Sequence, residues 1–353
     1  MKFKHLLFSF AFLLAIPLGT THAYTYIGEW GTNNIVIRAS SVSFPSGNSY
    51  RTALGTVVSR IYNNPSEFWI TQAYDDTSIG FNNGQNEIWF SADSTYNPAV
   101  TYTWKSWWTG KLTEADVVFY NGEAYTTSMY KLSLWAWGGA YRPFETTLMH
   151  EYGHAMGLGH ENDEYNIMGQ DWTHIHLNGT TARSYLGEDA SDGLVDQYGL
   201  YSGGSNEDVS ASMFEYSGSS GEYSTHNLCD VYYTSGGIVS STSYNGQRRY
   251  NVSKGSTYKF EFTYENNGET TKSFRAGYYL SSNSTISTGD RFLGYTNFTL
   301  SRDDVYTYQR SITIPTDLTS GSTYYLGVIV DDNYAVAEVD GSNNAAYHII
   351  QIN

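Results

Sequence analysis

The chain has 353 residues, with 35 acidic against 19 basic side chains and a formal charge of −16. It shows no cluster of Lys and Arg of the kind a phosphate-binding surface needs, so nucleic acid is excluded as an expected partner. Charged residues are 15 % of the chain, below the usual ~25 %, which argues against long coiled coils and acidic disordered tails, and a single cysteine, Cys229, rules out an intrachain disulfide.

The chain opens with Lys2 and Lys4, an apolar run over residues 6–18, and the small residues Thr21 and Ala23 at the −3 and −1 positions of a cleavage site. That order reads as a secretory signal peptide over residues 1–23. No later stretch reaches about 18 consecutive apolar residues, so the expectation is a secreted, soluble mature chain with no membrane span. A secreted protein with one cysteine is held by its core or by metals.

After Ala23, Ile35-Val36-Ile37-Arg38 reads as a strand. Leu54, Val57, Val58 and Ile61 fall at helical spacing and stop before Asn63-Asn64-Pro65. Phe68-Trp69-Ile70, Glu87-Ile88-Trp89-Phe90 and Ala115-Asp116-Val117-Val118-Phe119 read as strands, residues 143–158 as a helix, and residues 191–199 as a last helix ended by Gly199. Strands mixed with helices give an α/β or α+β domain over residues 24–201. Gly/Ser-rich sequence then suggests a flexible linker over 202–228. From 229 to 353, β-rich runs at 258–264, 274–280, 306–314, 324–330 and 347–352 are separated by turn residues, the pattern of an all-β, Ig-like sandwich.

One segment carries chemistry: His150-Glu151-Tyr152-Gly153-His154-Ala155-Met156-Gly157-Leu158-Gly159-His160. His150 and His154 are one helical turn apart, so their imidazoles share a face and can share a metal. Glu151 is rotated by about 100°, which sets its carboxylate beside the metal rather than on it. Gly157 can take positive φ, end the helix and return His160 to the same ion. Three imidazoles leave a fourth position for water, as in catalytic zinc sites, and Glu151 is placed to accept that water's proton. Five such positions coincide by chance in a chain of this length with a probability on the order of 10⁻⁴ or less.

With this segment the chain resembles the metzincin zinc endopeptidases, most of all the matrixin group. Ala115-Asp116-Val117-Val118-Phe119 resembles the strand near that family's cleft. Gly193-Leu194-Val195-Asp196-Gln197-Tyr198-Gly199, preceded by Asp189, resembles its terminal helix. The resemblance implies a twisted, mostly parallel sheet backed by an active-site helix, with an extended peptide substrate along the edge strand. It implies His150, His154 and His160 as Zn²⁺ ligands and Glu151 as general base. Met168, in Asn166-Ile167-Met168-Gly169, would be the methionine floor beneath them. Two departures leave the subgroup open: Glu161 follows the third histidine where matrixins have Ser, and Gln170 stands where they have Pro. No propeptide fits between Ala23 and the first strand.

Acidic pairs at Asp75-Asp76, Asp163-Glu164 and Glu188-Asp189 could hold structural Ca²⁺, although none has EF-hand spacing and solvated carboxylates are the simpler reading. His174 and His176 alternate as on one strand face, which suggests a surface or substrate-facing role. The aromatic stretch from Tyr102 to Trp108 suggests either a cleft lining or core or loop packing. Val328-Ile329-Val330-Asp331-Asp332-Asn333 with Glu338-Val339-Asp340-Gly341-Ser342-Asn343-Asn344 is similar to the end of the CARDB domain. That similarity implies a bacterial origin and a module binding a cell-surface or matrix ligand. The leading expectation is a secreted zinc endopeptidase acting on proteins or peptides. The alternatives are an adhesin or glycan-binding protein with a vestigial metal site, and a zinc hydrolase of a non-peptide substrate.

Overall fold

Helix α1 (Ser49–Ile61) starts where the Asn48 side chain accepts the Tyr50 N–H at 2.7 Å, and it buries Leu54, Val57, Val58 and Ile61 against a sheet. These elements come from a computed structural model that describes residues 24–353; residues 1–23, expected to be a signal peptide, lie outside the described residues. The sheet comprises β1 (Asn34–Ser40), β2 (Trp69–Asp76), β3 (Asn86–Ser91), β4 (Ala99–Lys105) and β5 (Leu112–Tyr120), in the order β2-β1-β3-β5-β4. Three neighbouring pairs are parallel, but β4 runs antiparallel to β5, so the sheet is mixed. The edge strands are β2 and β4, and the Ala115–Phe119 run lies one strand inside β4.

Two short ladders follow, β6 (Tyr125–Thr126) with β7 (Arg142–Pro143) and β8 (His176–Asn178) with β9 (Thr181–Arg183). Between them α2 (Phe144–Met156) runs against the sheet with every residue buried. α3 (Glu188–Tyr198) ends at Gly199.

The stretch expected to be a flexible linker is structured. It contains β10 (Val209–Ser212) and a hairpin of β11 (Phe214–Ser220) and β12 (Tyr223–Leu228). Tyr, Phe and Thr around a Gly221 turn give this segment strand-forming capacity that its serines and glycines disguise.

The remaining strands are β13 (Val231–Tyr233), β14 (Ser241–Tyr244), β15 (Gln247–Val252), β16 (Thr257–Asn266), β17 (Lys272–Ser281), β18 (Arg291–Leu300), β19 (Val305–Thr313), β20 (Thr323–Val330) and β21 (Ala345–Ile352). They form two facing sheets. In one, β16 pairs with β19, β10 and β13; the other has the order β14-β15-β21-β20-β17-β18. Phe260, Phe262, Tyr278, Leu326, Val328 and Ile350 fill the space between them.

A third core joins the two halves. Trp137, Tyr165, Ile175 and Leu177 pack with Tyr279, Ile286 and Tyr347 of the sandwich. Asn178 exchanges both of its amide bonds with the Ile286 backbone (2.7 and 3.0 Å), and the Tyr347 hydroxyl donates to the Gly179 carbonyl at 2.8 Å. A continuous buried seam of this kind fixes the halves together, which a Gly/Ser tether would not do.

Candidate active site

The site forms at the C-terminal end of α2. His150 and His154 lie on one face of that helix. Gly157 then takes φ +111°, and the Leu158 N–H turns back to the Gly153 carbonyl at 3.0 Å. A side chain cannot replace this glycine, because a Cβ there would lie 2.0 Å from the Gly28 carbonyl oxygen. The reversal brings His160 across. One ring nitrogen from each of the three histidines lies within 4.8 Å of the other two, and the Nε2 atoms of His154 and His160 are 3.0 Å apart.

The donor set fits a zinc ion. His150 Nδ1 is 2.8 Å from the Ile167 carbonyl and His154 Nδ1 is 2.9 Å from the Leu158 carbonyl. A carbonyl only accepts, so both Nδ1 atoms carry the proton and both Nε2 lone pairs face the common point. Burial holds His150 down to about 4 and His154 well below its ordinary value, which keeps both neutral as ligands. Such a ligand set leaves room for a water or substrate oxygen.

Glu151 is 4 % exposed and borders the same cleft. Thr101 Oγ1, on the edge strand β4, lies 2.7 Å from Glu151 Oε2. Burial pushes the Glu151 carboxyl up to about 7, with the Thr101 hydrogen bond opposing the rise. A carboxyl tuned to that range suits proton transfer near neutrality. Met168 is buried beneath the helix, and a Cβ on residue 153 would lie 2.4 Å from its Sδ. The Asn166 side chain accepts the Gly169 N–H at 2.5 Å and closes this turn.

The cleft has a volume of about 940 Å³. Pro98 to Thr101 form one side and Gly169 to Trp172 another. On that second side Arg142 donates to Asp171 at 2.5 Å and to Thr147 at 2.9 Å. Burial, the largest influence, would raise the Asp171 carboxyl, but the Arg142 charge together with the hydrogen bonds from Thr147 and Arg142 holds the group below its usual value.

Sequence reasoning missed the β11–β12 hairpin, whose tip enters the cleft. Glu222 Oε1 is 3.3 Å from His160 Nδ1, and the Tyr223 ring lies 4.3 Å from the His160 ring. Ser224 N–H donates to the Glu161 carbonyl at 3.1 Å, and His226 N–H donates to Gln170 Oε1 at 2.6 Å. Gln170, one of the departures from the matrixin pattern, thus anchors this hairpin through its side chain, while Glu161 does so through its backbone carbonyl. The signal available in the sequence was the Gly221 turn flanked by Phe214, Tyr216 and Tyr223.

Other expectations are corrected. His174 and His176 are not on a surface; they are 0 % and 1 % exposed. His174 lies between the rings of Tyr165 and Tyr185, and His176 Nδ1 is 3.1 Å from the Ala211 carbonyl. Of the alternatives for the aromatic stretch, loop packing holds for Trp107 and Trp108, which pack on each other, exposed, in the turn after β4 and outside the cleft. Asp75 pairs with Arg51 at 2.6 Å. Cys229 is buried, and burial raises its thiol well above the ordinary value.

Residues 56–199 match the matrixin family model. This matrixin-like segment covers about two-fifths of the chain, contains all three histidines, and supports a zinc metallopeptidase in general. No curated protein matches the chain. Among solved structures, a CARDB domain from Pyrococcus furiosus with two metal ions is 15 % identical, over 29 % of this chain and 79 % of that one, at a TM-score of 0.24. A β-glucosidase from Listeria innocua is 10 % identical over 37 % of this chain and 17 % of that one (TM-score 0.22). OgpA from Akkermansia muciniphila is 10 % identical over 92 % of this chain and 94 % of that one (TM-score 0.21). At such scores these similarities define no shared arrangement. Among the described residues, no helix is long and apolar enough to cross a membrane.

Proposed function

We propose that the protein is a secreted, metzincin-type zinc endopeptidase. The observation that carries this reading is the convergence of His150, His154 and His160, with Glu151 beside them in a cleft open to an edge strand. Zinc held there would polarise a substrate carbonyl and acidify the attacking water. Glu151 accepts the proton of that water and passes it to the leaving amine. Thr101 holds the Glu151 carboxylate in place, and the Ile167 and Leu158 carbonyls fix the rings of His150 and His154. An extended peptide pairs with the free edge of β4 through backbone hydrogen bonds, with side chains directed toward the wall formed by Gln170, Asp171 and Trp172. The sandwich, with its CARDB-like terminal sequence, positions the enzyme on a cell-surface or matrix ligand.

Zinc removal and restoration test this reading. Casein cleavage is expected to stop when the protein is dialysed against a chelator and to return with one equivalent of Zn²⁺. Cleavage that continues in protein shown to be zinc-free would sink it.

A further inference from the structure

A second ligand cluster lies away from the histidines. Carboxylate oxygens of Glu164, Glu188 and Asp303 all lie within 4.8 Å of one another. That spacing is the span of two Ca–O bonds of about 2.4 Å across a common ion. The three residues come from different parts of the chain. Glu164 is in the loop between His160 and Met168, Glu188 begins α3, and Asp303 is in the β18–β19 turn of the sandwich.

Glu188 makes this more than a group of surface acids. It is 1 % exposed, and neither of its carboxylate oxygens has a hydrogen-bond partner. The neighbouring Asp189 is also 1 % exposed with both oxygens unpartnered. Burying an unpaired carboxylate is costly, and native structures place such groups against a counter-ion. The nearest basic side chain in the same turn, Arg302, is taken by Asp192 and Asp196 of α3. Burial and mutual repulsion push Glu188 and Asp189 well above the usual carboxylate range. An all-oxygen set of three carboxylates offers up to six donor atoms, which suits a hard cation of flexible coordination.

We propose that Glu164, Glu188 and Asp303 form a Ca²⁺ site that clamps the loop carrying the third histidine, the start of α3 and the sandwich to one another. The site is independent of peptide hydrolysis. It gives the seam between the two halves an ionic strength that depends on external calcium.

The test uses the full zinc-loaded protein, stripped of calcium and resupplied with Zn²⁺. Bound calcium is measured by equilibrium dialysis and stability by thermal unfolding. One Ca²⁺ per chain is expected, with a rise in Tm of about 5 °C at calcium a hundred-fold above Kd. Glu188→Gln and Asp303→Asn are each expected to weaken calcium binding at least tenfold. Glu188→Gln should melt no lower than the calcium-free wild type, since it removes a repelling charge. Asp303 has φ +72°, a conformation Asn tolerates, so Asp303→Asn decides the matter if Glu188→Gln does not fold. No bound calcium with an unchanged Tm would overturn the proposal, as would calcium binding unaltered in the variants.

Discussion

Gly153 sits in the middle of α2, where replacement by Ala normally stabilises a helix by about 1 kcal/mol. Here the opposite sign is expected. A Cβ at this position would lie 2.4 Å from Met168 Sδ and 3.0 Å from its Cε, against an ordinary contact of about 3.5–4.0 Å. The sulfur must retreat by more than about 1 Å, and Met168 is only 1 % exposed, so it retreats into packed core. Overpacking of this kind costs about 1–3 kcal/mol, leaving Gly153→Ala destabilised by about 0–2 kcal/mol once helix propensity is returned. Met168→Ala alone should cost about 2–5 kcal/mol through the cavity it leaves. In the double variant the new methyl enters that cavity, so the two changes should couple favourably by about 1–2 kcal/mol. Urea unfolding of the four zinc-loaded proteins measures the cycle. Since Ile167, beside Met168, holds His150 in place, Gly153→Ala should also bind zinc more weakly in competition with a chelator. A Gly153→Ala protein more stable than wild type by about 1 kcal/mol, with effects that simply add to those of Met168→Ala, would refute the packing argument.

Three further outcomes follow from the same geometry. Asp116 is fully buried between Glu114 and Glu87, and burial foremost raises its carboxyl to about 8. Between pH 4 and 8 the folded state keeps a proton that the unfolded state has lost, so this group makes stability fall as pH rises, by up to about 1.4 kcal/mol per unit. Asp116→Asn should therefore gain on wild type across that window in urea titrations; a difference that does not change with pH contradicts the assignment. Glu222→Ala removes the carboxylate beside His160 Nδ1 and should weaken zinc binding about tenfold, the lower end for a group that orients a ligand, since Glu222 is largely solvated; unchanged affinity would show that the hairpin does not support the metal. The Cys229 thiol should react with a maleimide only on unfolding, because burial disfavours its thiolate; labelling of the native protein at the rate of a free thiol would contradict its placement.

What the sequence made legible was periodic or locally spaced. The helix of Leu54, Val57, Val58 and Ile61 and the i, i+4 histidines of α2 are written in neighbouring positions, and so is the glycine that reverses the chain before His160. Contacts between distant segments were not. Residues 202–228 look like a tether because Gly and Ser dominate, yet Phe214 and Tyr223 turn them into a hairpin once Glu161 and Gln170 offer acceptors. His174 and His176 are polar residues on a strand-like pattern. Their burial depends on Tyr165, Tyr185 and the Ala211 carbonyl, which only tertiary packing brings to them. The antiparallel β4 follows from pairing geometry that alternation does not encode, and composition alone could not choose among cleft, core and loop packing for the aromatic stretch that ends in Trp107 and Trp108.

The central claim is tested most directly by casein cleavage with wild type and Glu151→Ala side by side, each with its zinc content measured. One zinc in both proteins, cleavage by the wild type, and loss of cleavage by several orders of magnitude in the variant are the results this account predicts. Equal cleavage by the two proteins, or zinc bound by both with neither cutting, would contradict it.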